Sequence, residues 1–326
     1  MSLVLSLLIV LFLAFANGAN DNFKGVATLY GCGVSTFREA LLWATITTAL
    51  GAIAAIFVSK GLLATFSGKG LVPDSVVAMK SFALAVVFAA AMTVMLATKV
   101  GFPISTTHAL TGALVGAGFL ASSQGLNLER LKSSFLFPLL LSPVVSLGVA
   151  SLIYGLSRKL VQSFFVSNSF AISPKWLDRL HYLSAGTVCF ARALNDTPKI
   201  AAILLVGATI SPSVAIILVA LFMALGGWIN SDKVAETMSR KVTEMNPGQG
   251  LAGNLTTGFL VISASKFGLP VSTTHVACGA LFGIGIVNEK AHYRMISGIL
   301  LAWITTLPLA AALGGTLFWI FNKFPT

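Results

Sequence analysis

Eight stretches of this chain contain no Asp, Glu, Lys or Arg: 40–59, 81–98, 100–128, 133–157, 200–231, 245–265, 267–288 and 295–322. A helix that crosses the hydrocarbon core of a bilayer needs about 20 largely apolar residues. Lipid is therefore the solvent for most of the chain. The pattern predicts an all-α polytopic membrane protein with roughly ten to twelve embedded segments, since the longest runs can fold back on themselves. Charged residues make up 10% of the sequence, against about 25% in soluble domains. Mean hydropathy is +0.91.

The formal net charge is +11. Lys and Arg sit mainly in loops and at helix ends, where they anchor the chain to anionic lipid and set its topology. That reading leaves no role for nucleic acid. Cys32, Cys189 and Cys278 lie in apolar surroundings and read as packed thiols, with neither a disulfide framework nor zinc spacing. The opening apolar run lacks the basic n-region of a signal peptide, and the polar motif that closes it recurs inside the chain.

That motif is "FANGANDNFK", residues 15–24, and its second copy is "FARALNDTPK", residues 190–199. They share Phe, Ala, Asn, Asp and Lys. A clearer pair is "KVGFPISTTHALTGALVGAG" (99–118) and "KFGLPVSTTHVACGALFGIG" (266–285). Two motifs repeated in the same order mean an internal duplication. The expected division is a first half over 1–163, a connecting loop over 164–179 and a second half over 180–326. Arg38 follows the first copy of the polar motif, whereas 206–213 after the second copy holds no cation. By the positive-inside rule, this difference favours inverted repeats.

Eight of the ten acidic residues fall in loops or at predicted helix ends. The other two are the repeat-related Asp21 and Asp196. A carboxylate at the centre of a membrane helix costs about 2.5–3.5 kcal/mol on insertion scales. Two at equivalent positions call for compensation. An ionised Asp with amide and freed backbone oxygens makes a seat for a small hard cation, with Asn20 and Asn195 as neighbours. Asn17, Gly18 and Asn20 are poor helix formers, so the first segment is expected to unwind there. Pro198 is expected to interrupt the second.

The "PISTTH" and "PVSTTH" segments combine Pro with capping Ser/Thr, which marks helix starts. Short uncharged pieces on either side of each Pro suggest re-entrant hairpins with tips at 103–107 and 270–274. A helix N-terminus inside the bilayer offers free N–H groups and a partial positive charge. The hydroxyls of Ser105, Thr106, Thr107, Ser272, Thr273 and Thr274 add donors. Two such tips facing each other would form a nest for an oxyanion. His108 and His275 could handle protons, bind phosphate, or pack behind the tips. Gly112, Gly116, Gly279 and Gly283 read as close helix packing.

"GAND" (18–21), "LND" (194–196) and the paired P-x-S-T-T-H segments resemble the inorganic phosphate transporter (PiT) family, over essentially the whole chain. The resemblance implies inverted repeats with broken helices around a central site and uptake of phosphate coupled to Na+ or, in some members, protons. It places Asn20, Asp21, Asn22, Asn195 and Asp196 in the ion and substrate site. Asp21 and Asp196 would carry Na+, and the two Ser-Thr-Thr runs would hold phosphate with Asn22 and Asn195. Lys199 fits the second-copy pattern. The first copy departs from it at Asn22-Phe23-Lys24-Gly25, and Lys24 is read as snorkelling or pairing with an acid.

The expected mechanism is cation-first symport in the multi-pass inner membrane of a bacterium or archaeon. Cations neutralise the two Asp residues, an anion then binds, and the halves rock about a midplane site. Na+ is favoured over H+ because the ligand set is rich in oxygen. The alternatives are a proton-coupled phosphate or sulfate carrier, or an anion channel with the same broken helices. A homo-oligomer is compatible with all of these. No cofactor is implied. An enzyme is disfavoured, because a Ser-His-Asp triad is asymmetric and every candidate here is duplicated.

Overall fold

A computed structural model describes residues 3–58, 69–123, 125–165, 174–204, 211–269 and 271–323. Among these residues, ten helices have 15 or more residues: α1 (Leu3–Asp21), α2 (Phe37–Val58), α3 (Lys80–Val100), α4 (Thr106–Ala121), α5 (Phe137–Phe165), α6 (Pro174–Leu204), α7 (Pro212–Asn230), α8 (Pro247–Lys266), α9 (Thr273–Val287) and α10 (Tyr293–Lys323). Six segments are long and apolar enough to cross a membrane, coinciding with α1, α2, α3, α5 with its lead-in, α7 and α10. The α6 helix is less apolar because it carries Arg192, Asp196 and Lys199.

Many large apolar side chains face outward. Leu42, Ile46, Leu50, Ile53 and Phe57 form an exposed stripe along α2, while Ala44, Thr48 and Ala52 are buried. Lipid tails are as apolar as leucine, so helix association in a bilayer depends on small residues and close packing. The two GxxxG spacings, Gly112 with Gly116 and Gly279 with Gly283, meet that need. A Cβ on Gly112 or Gly116 of α4 would strike backbone carbonyls of α10, at Leu307 and Ala311. One on Gly279 or Gly283 of α9 would strike those of α5, at Pro143 and Leu147. Gly116→Ala is expected to lower stability by about 1–3 kcal/mol through overpacking. Gly148→Ala, with open space around it, is expected to be neutral or stabilising, because Ala is the better helix former. Thermal unfolding in detergent reads both, and equal effects would remove the packing account.

Helix pairing crosses between the halves. The α4 helix packs on α10 and α9 packs on α5; α1 packs on α7 and α6 on α2. Within each half, α1 meets α3 and α6 meets α8. Exchanging the two halves reproduces this scheme.

Each Ser-Thr-Thr-His run starts the second helix of a helix hairpin. The α3 helix ends at Gly101, whose φ of 80° is left-handed, a conformation that glycine adopts at no steric cost. Residues 102–105 then lead into α4, with the Ser105 side chain accepting from the His108 N–H. The second hairpin repeats this with Gly268 (φ 67°) and the Ser272 side chain accepting from His275 N–H. Pro270 lies outside the described residues. With 16 and 15 residues, α4 and α9 rise about 24 and 22 Å, short of a core of about 30 Å. The preceding arms are full length at 21 and 20 residues, so only the second arm of each hairpin is short. The run 81–98 alone is long enough to make a complete helix.

The expected unwinding at 17–20 does not occur. The α1 helix is continuous to Asp21, and turns occupy 22–26. Gly18 serves interhelical contact instead: a Cβ there would strike the Met223 backbone in α7. The Asn17 and Asn20 side chains bond to other helices, so they do not compete for their own backbone. The α6 helix likewise continues through Pro198 to Leu204. Of the expected connecting loop, 164–165 close α5 and 174–179 open α6. Residues 166–173 lie outside the described residues, as do 206–210 of the segment used to argue topology.

Candidate functional site

Five charged side chains are buried among the described residues: Asp21, Lys24, Arg192, Asp196 and Lys199. All five belong to one cluster where α1, α6 and the two hairpin tips meet. The tips face each other. Thr107 Oγ1 donates to the Val271 carbonyl at 3.5 Å, and Thr274 Oγ1 donates to the Ile104 carbonyl at 2.8 Å. The two carboxylates are brought close by Asn17, whose Nδ2 lies 2.8 Å from Asp21 Oδ2 and 3.4 Å from Asp196 Oδ2.

The threonines that open α4 and α9 address these carboxylates. Thr106 Oγ1 donates to Asp21 Oδ2 at 3.3 Å and accepts from Asn17 Nδ2 at 2.9 Å. Thr273 Oγ1 donates to Asp196 Oδ2 at 3.4 Å. Thr107 and Thr274 turn to the lysines: Lys199 Nζ donates to Thr107 Oγ1 and Lys24 Nζ to Thr274 Oγ1, both at 2.7 Å. Ser105 and Ser272 act as helix caps, which commits their oxygens to the backbone. First-turn N–H groups of a helix have no partner within it; at each tip the capping serine takes one of them, the His108 N–H at Ser105 and the His275 N–H at Ser272.

The asparagines divide by direction. Asn20 Oδ1 accepts from Lys24 Nζ at 2.7 Å and from the Ile104 N–H at 3.0 Å, tying α1 to the first tip. Asn195 Oδ1 accepts from Lys199, and its Nδ2 donates to Ser265 Oγ at 3.0 Å. Asn22 turns away from the tips toward α2. Its Oδ1 accepts from Thr48 Oγ1 at 3.1 Å and from Arg192 Nη2 at 3.2 Å.

Lys24 pairs with Asp21, as expected of a lysine that does not snorkel, and Lys199 pairs with Asp196 at 3.2 Å. Arg192 was missed in reading the sequence. Its Nη1 donates to Asn17 Oδ1 at 2.9 Å, and its Nη2 also reaches Thr48 Oγ1 at 3.0 Å. A signal was available: Arg192 aligns with Asn17 in the duplicated motif, so one copy carries a charge where the other carries an amide. Counted formally, Lys24, Arg192 and Lys199 against Asp21 and Asp196 leave one positive charge over in the buried cluster.

His108 and His275 pack behind the tips with ring centroids 4.8 Å apart, edge to face. His275 also stacks on Trp303 of α10 at 3.9 Å, and the Trp303 indole N–H donates to the Pro103 carbonyl at 3.0 Å. The indole thereby braces one hairpin against the other half of the chain.

These features define a multi-pass membrane protein with a buried, two-fold repeated polar centre. The family model of the phosphate transporter family matches residues 17–314, and the chain belongs to that family. A Bacillus subtilis (strain 168) protein named "Probable low-affinity inorganic phosphate transporter" is 26% identical, covering 98% of both chains. A Rhizobium meliloti (strain 1021) protein of the same name is 30% identical over 93% of this chain and 91% of its own. A relative from Pyrococcus furiosus is 25% identical over 97% of this chain. A solved structure described as "The sodium-dependent phosphate transporter" superposes with a TM-score of 0.84 at 23% identity, covering 99% of each chain. This likeness shows the fold. The family is one of transporters, which settles the enzyme alternative against an enzyme.

Proposed function

We propose that this chain imports inorganic phosphate by alternating access, with its halves rocking as inverted repeats about the buried cluster and uptake coupled to a cation. One observation carries the reading: two Ser/Thr-rich helix N-termini, one from each half, converge on a buried centre that holds Lys24, Arg192 and Lys199 beside two carboxylates. Backbone N–H groups, threonine hydroxyls and an excess cation suit a tetrahedral oxyanion. The relatives named for inorganic phosphate support phosphate over sulfate.

Phosphate would sit between the tips, held by Thr106, Thr107, Thr273 and Thr274 and the first-turn N–H groups. Ser105 and Ser272 shape the tips by capping. Asn20 and Asn195 hold the lysines, while Asn22 holds Arg192. Asp21 and Asp196 link the anion seat to the coupling cation. Each ligand then favours the other, which is the thermodynamic content of symport.

The coupling cation is Na+ or H+. Na+ draws support from the solved neighbour, a sodium-dependent phosphate transporter. H+ draws support from lysine ammonium groups already on the oxygens that Na+ would need. Labelled-phosphate uptake into proteoliposomes tests the proposal, with a Na+ gradient, a pH gradient or neither. The expected result is saturable uptake driven by one gradient and competed more weakly by sulfate than by phosphate. Gradient-independent anion conductance would establish a channel instead. Thr106→Val with Thr273→Val is expected to raise the phosphate KM about tenfold or more, since hydrogen bonds to charged groups contribute about 1.5–3 kcal/mol. An unchanged KM would place phosphate elsewhere.

A further inference from the structure

We infer that Lys24 and Lys199 are the resident cations of this site, so that phosphate binds to this chain without a metal ion. The inference deepens the transport reading and rests on it for what the cluster does.

Lys24 Nζ meets the Asn20 amide oxygen at 2.7 Å, the Asp21 carboxylate, the Ile104 carbonyl at 2.8 Å and the Thr274 hydroxyl at 2.7 Å. Lys199 Nζ meets the Asn195 amide oxygen, the Asp196 carboxylate at 3.2 Å, the Val271 carbonyl at 3.1 Å and the Thr107 hydroxyl at 2.7 Å. Amide, carboxylate, main-chain carbonyl and hydroxyl oxygens are the hard ligands that an unsolvated small cation requires. Every member of one set has its repeat-related counterpart in the other. The same seat is therefore built twice, and an ammonium fills it both times.

An ammonium carries the same single charge as Na+ and has three donors to spend on oxygens. Both lysines are buried, 5% and 1% exposed, so neither can reach water by extending outward. A Na+ ion at either seat would have to share its oxygens with a fixed positive charge. Among the described residues, the only buried carboxylates are those of Asp21 and Asp196, and each is already paired. The charge balance points the same way. A cluster of bare carboxylates would repel phosphate until cations arrived. This one has a formal excess of one cation, with an ammonium beside each carboxylate, so an anion meets no bare negative pair. The cation-first order expected from the sequence is thereby replaced by a seat that is charged in advance.

Binding of radiolabelled Na+ to the purified full-length protein, without phosphate and at ionic strength balanced with choline, tests the assignment. Wild type is expected to show no saturable Na+ binding. Lys24→Ala with Lys199→Ala is expected to gain it, because the oxygens remain and the ammonium groups are gone. Saturable Na+ binding by wild type would overturn the inference, and this arm decides alone where the double variant does not fold. A double variant that is monodisperse on size exclusion and binds no Na+ would overturn it as well. Labelled-phosphate binding on the same samples reads the substrate separately. Wild-type affinity is expected to stay within about twofold when choline replaces Na+, and a loss of about tenfold would count against the resident-cation assignment. Absence of phosphate binding in either salt would fell the transport reading, while the sodium arm would still decide what occupies the seats.

Discussion

Asp21→Asn and Asp196→Asn are each expected to lower phosphate uptake by about a hundredfold or more and to destabilise the fold. Each substitution strips a buried ammonium of its counter-charge. Breaking a buried ion pair by removing one partner costs about 3–5 kcal/mol, because the remaining charge is left uncompensated. Both carboxylates also receive Asn17 and a tip threonine, and the Asn17 contact is the shorter at Asp21, 2.8 Å against 3.4 Å at Asp196. Loss of uptake alone would not separate a collapsed site from a missing transport group. Asp21→Asn combined with Lys24→Met removes both charges, and such neutral replacements of buried pairs are often tolerated. This double variant is expected to recover the thermal stability lost in Asp21→Asn but not the uptake. Wild-type uptake by either single variant would place the carboxylates outside the transport cycle.

Arg192→Gln is expected to raise the phosphate KM by about tenfold to a hundredfold, with a smaller change in maximal rate. The substitution removes the one positive charge left over in the cluster and three hydrogen bonds, to Asn17, Asn22 and Thr48. Charge-assisted hydrogen bonds contribute about 1.5–3 kcal/mol each when buried. Arg192→Lys separates the two causes. It keeps the charge and loses the planar fork that reaches two asparagines at once. Partial recovery of KM in the Lys variant would assign the effect to charge, and equal impairment in both would assign it to the fork. A wild-type KM in Arg192→Gln would remove the arginine from the binding account.

Much of the site's membership was legible in the sequence because duplication marks positions twice. Asp21 with Asp196, and Thr106 with Thr273, stood out as repeated polar residues in apolar runs. Their meeting in one cluster follows from two hairpins drawn to a common centre. The direction of each side chain was not legible. Lys24 and Thr274 are 250 positions apart, and Lys199 and Thr107 are 92 apart, so no local spacing announces either contact. The expected unwinding at Asn17–Asn20 failed because propensity describes a residue facing its own backbone. Here Gly18 is needed by a neighbouring helix and the asparagines bond across to Thr106 and Thr98. Tertiary partners override propensity in such cases. Arg192 was not legible for the converse reason: it stands where the two copies differ, opposite Asn17, and duplication marks only the positions that repeat.

The exchange of helices between halves has a consequence for how the chain is made. The hairpin helix α4 emerges from the ribosome long before α10, the surface it must lie against. Until synthesis is nearly complete, its glycine face has no partner, and the buried charges of α1 wait for those of α6. Assembly is thus a late, whole-chain event. A nascent chain halted after α5 would keep its α1–α3 contact but leave α2, α4 and α5 without the helices that cover them, open to membrane proteases.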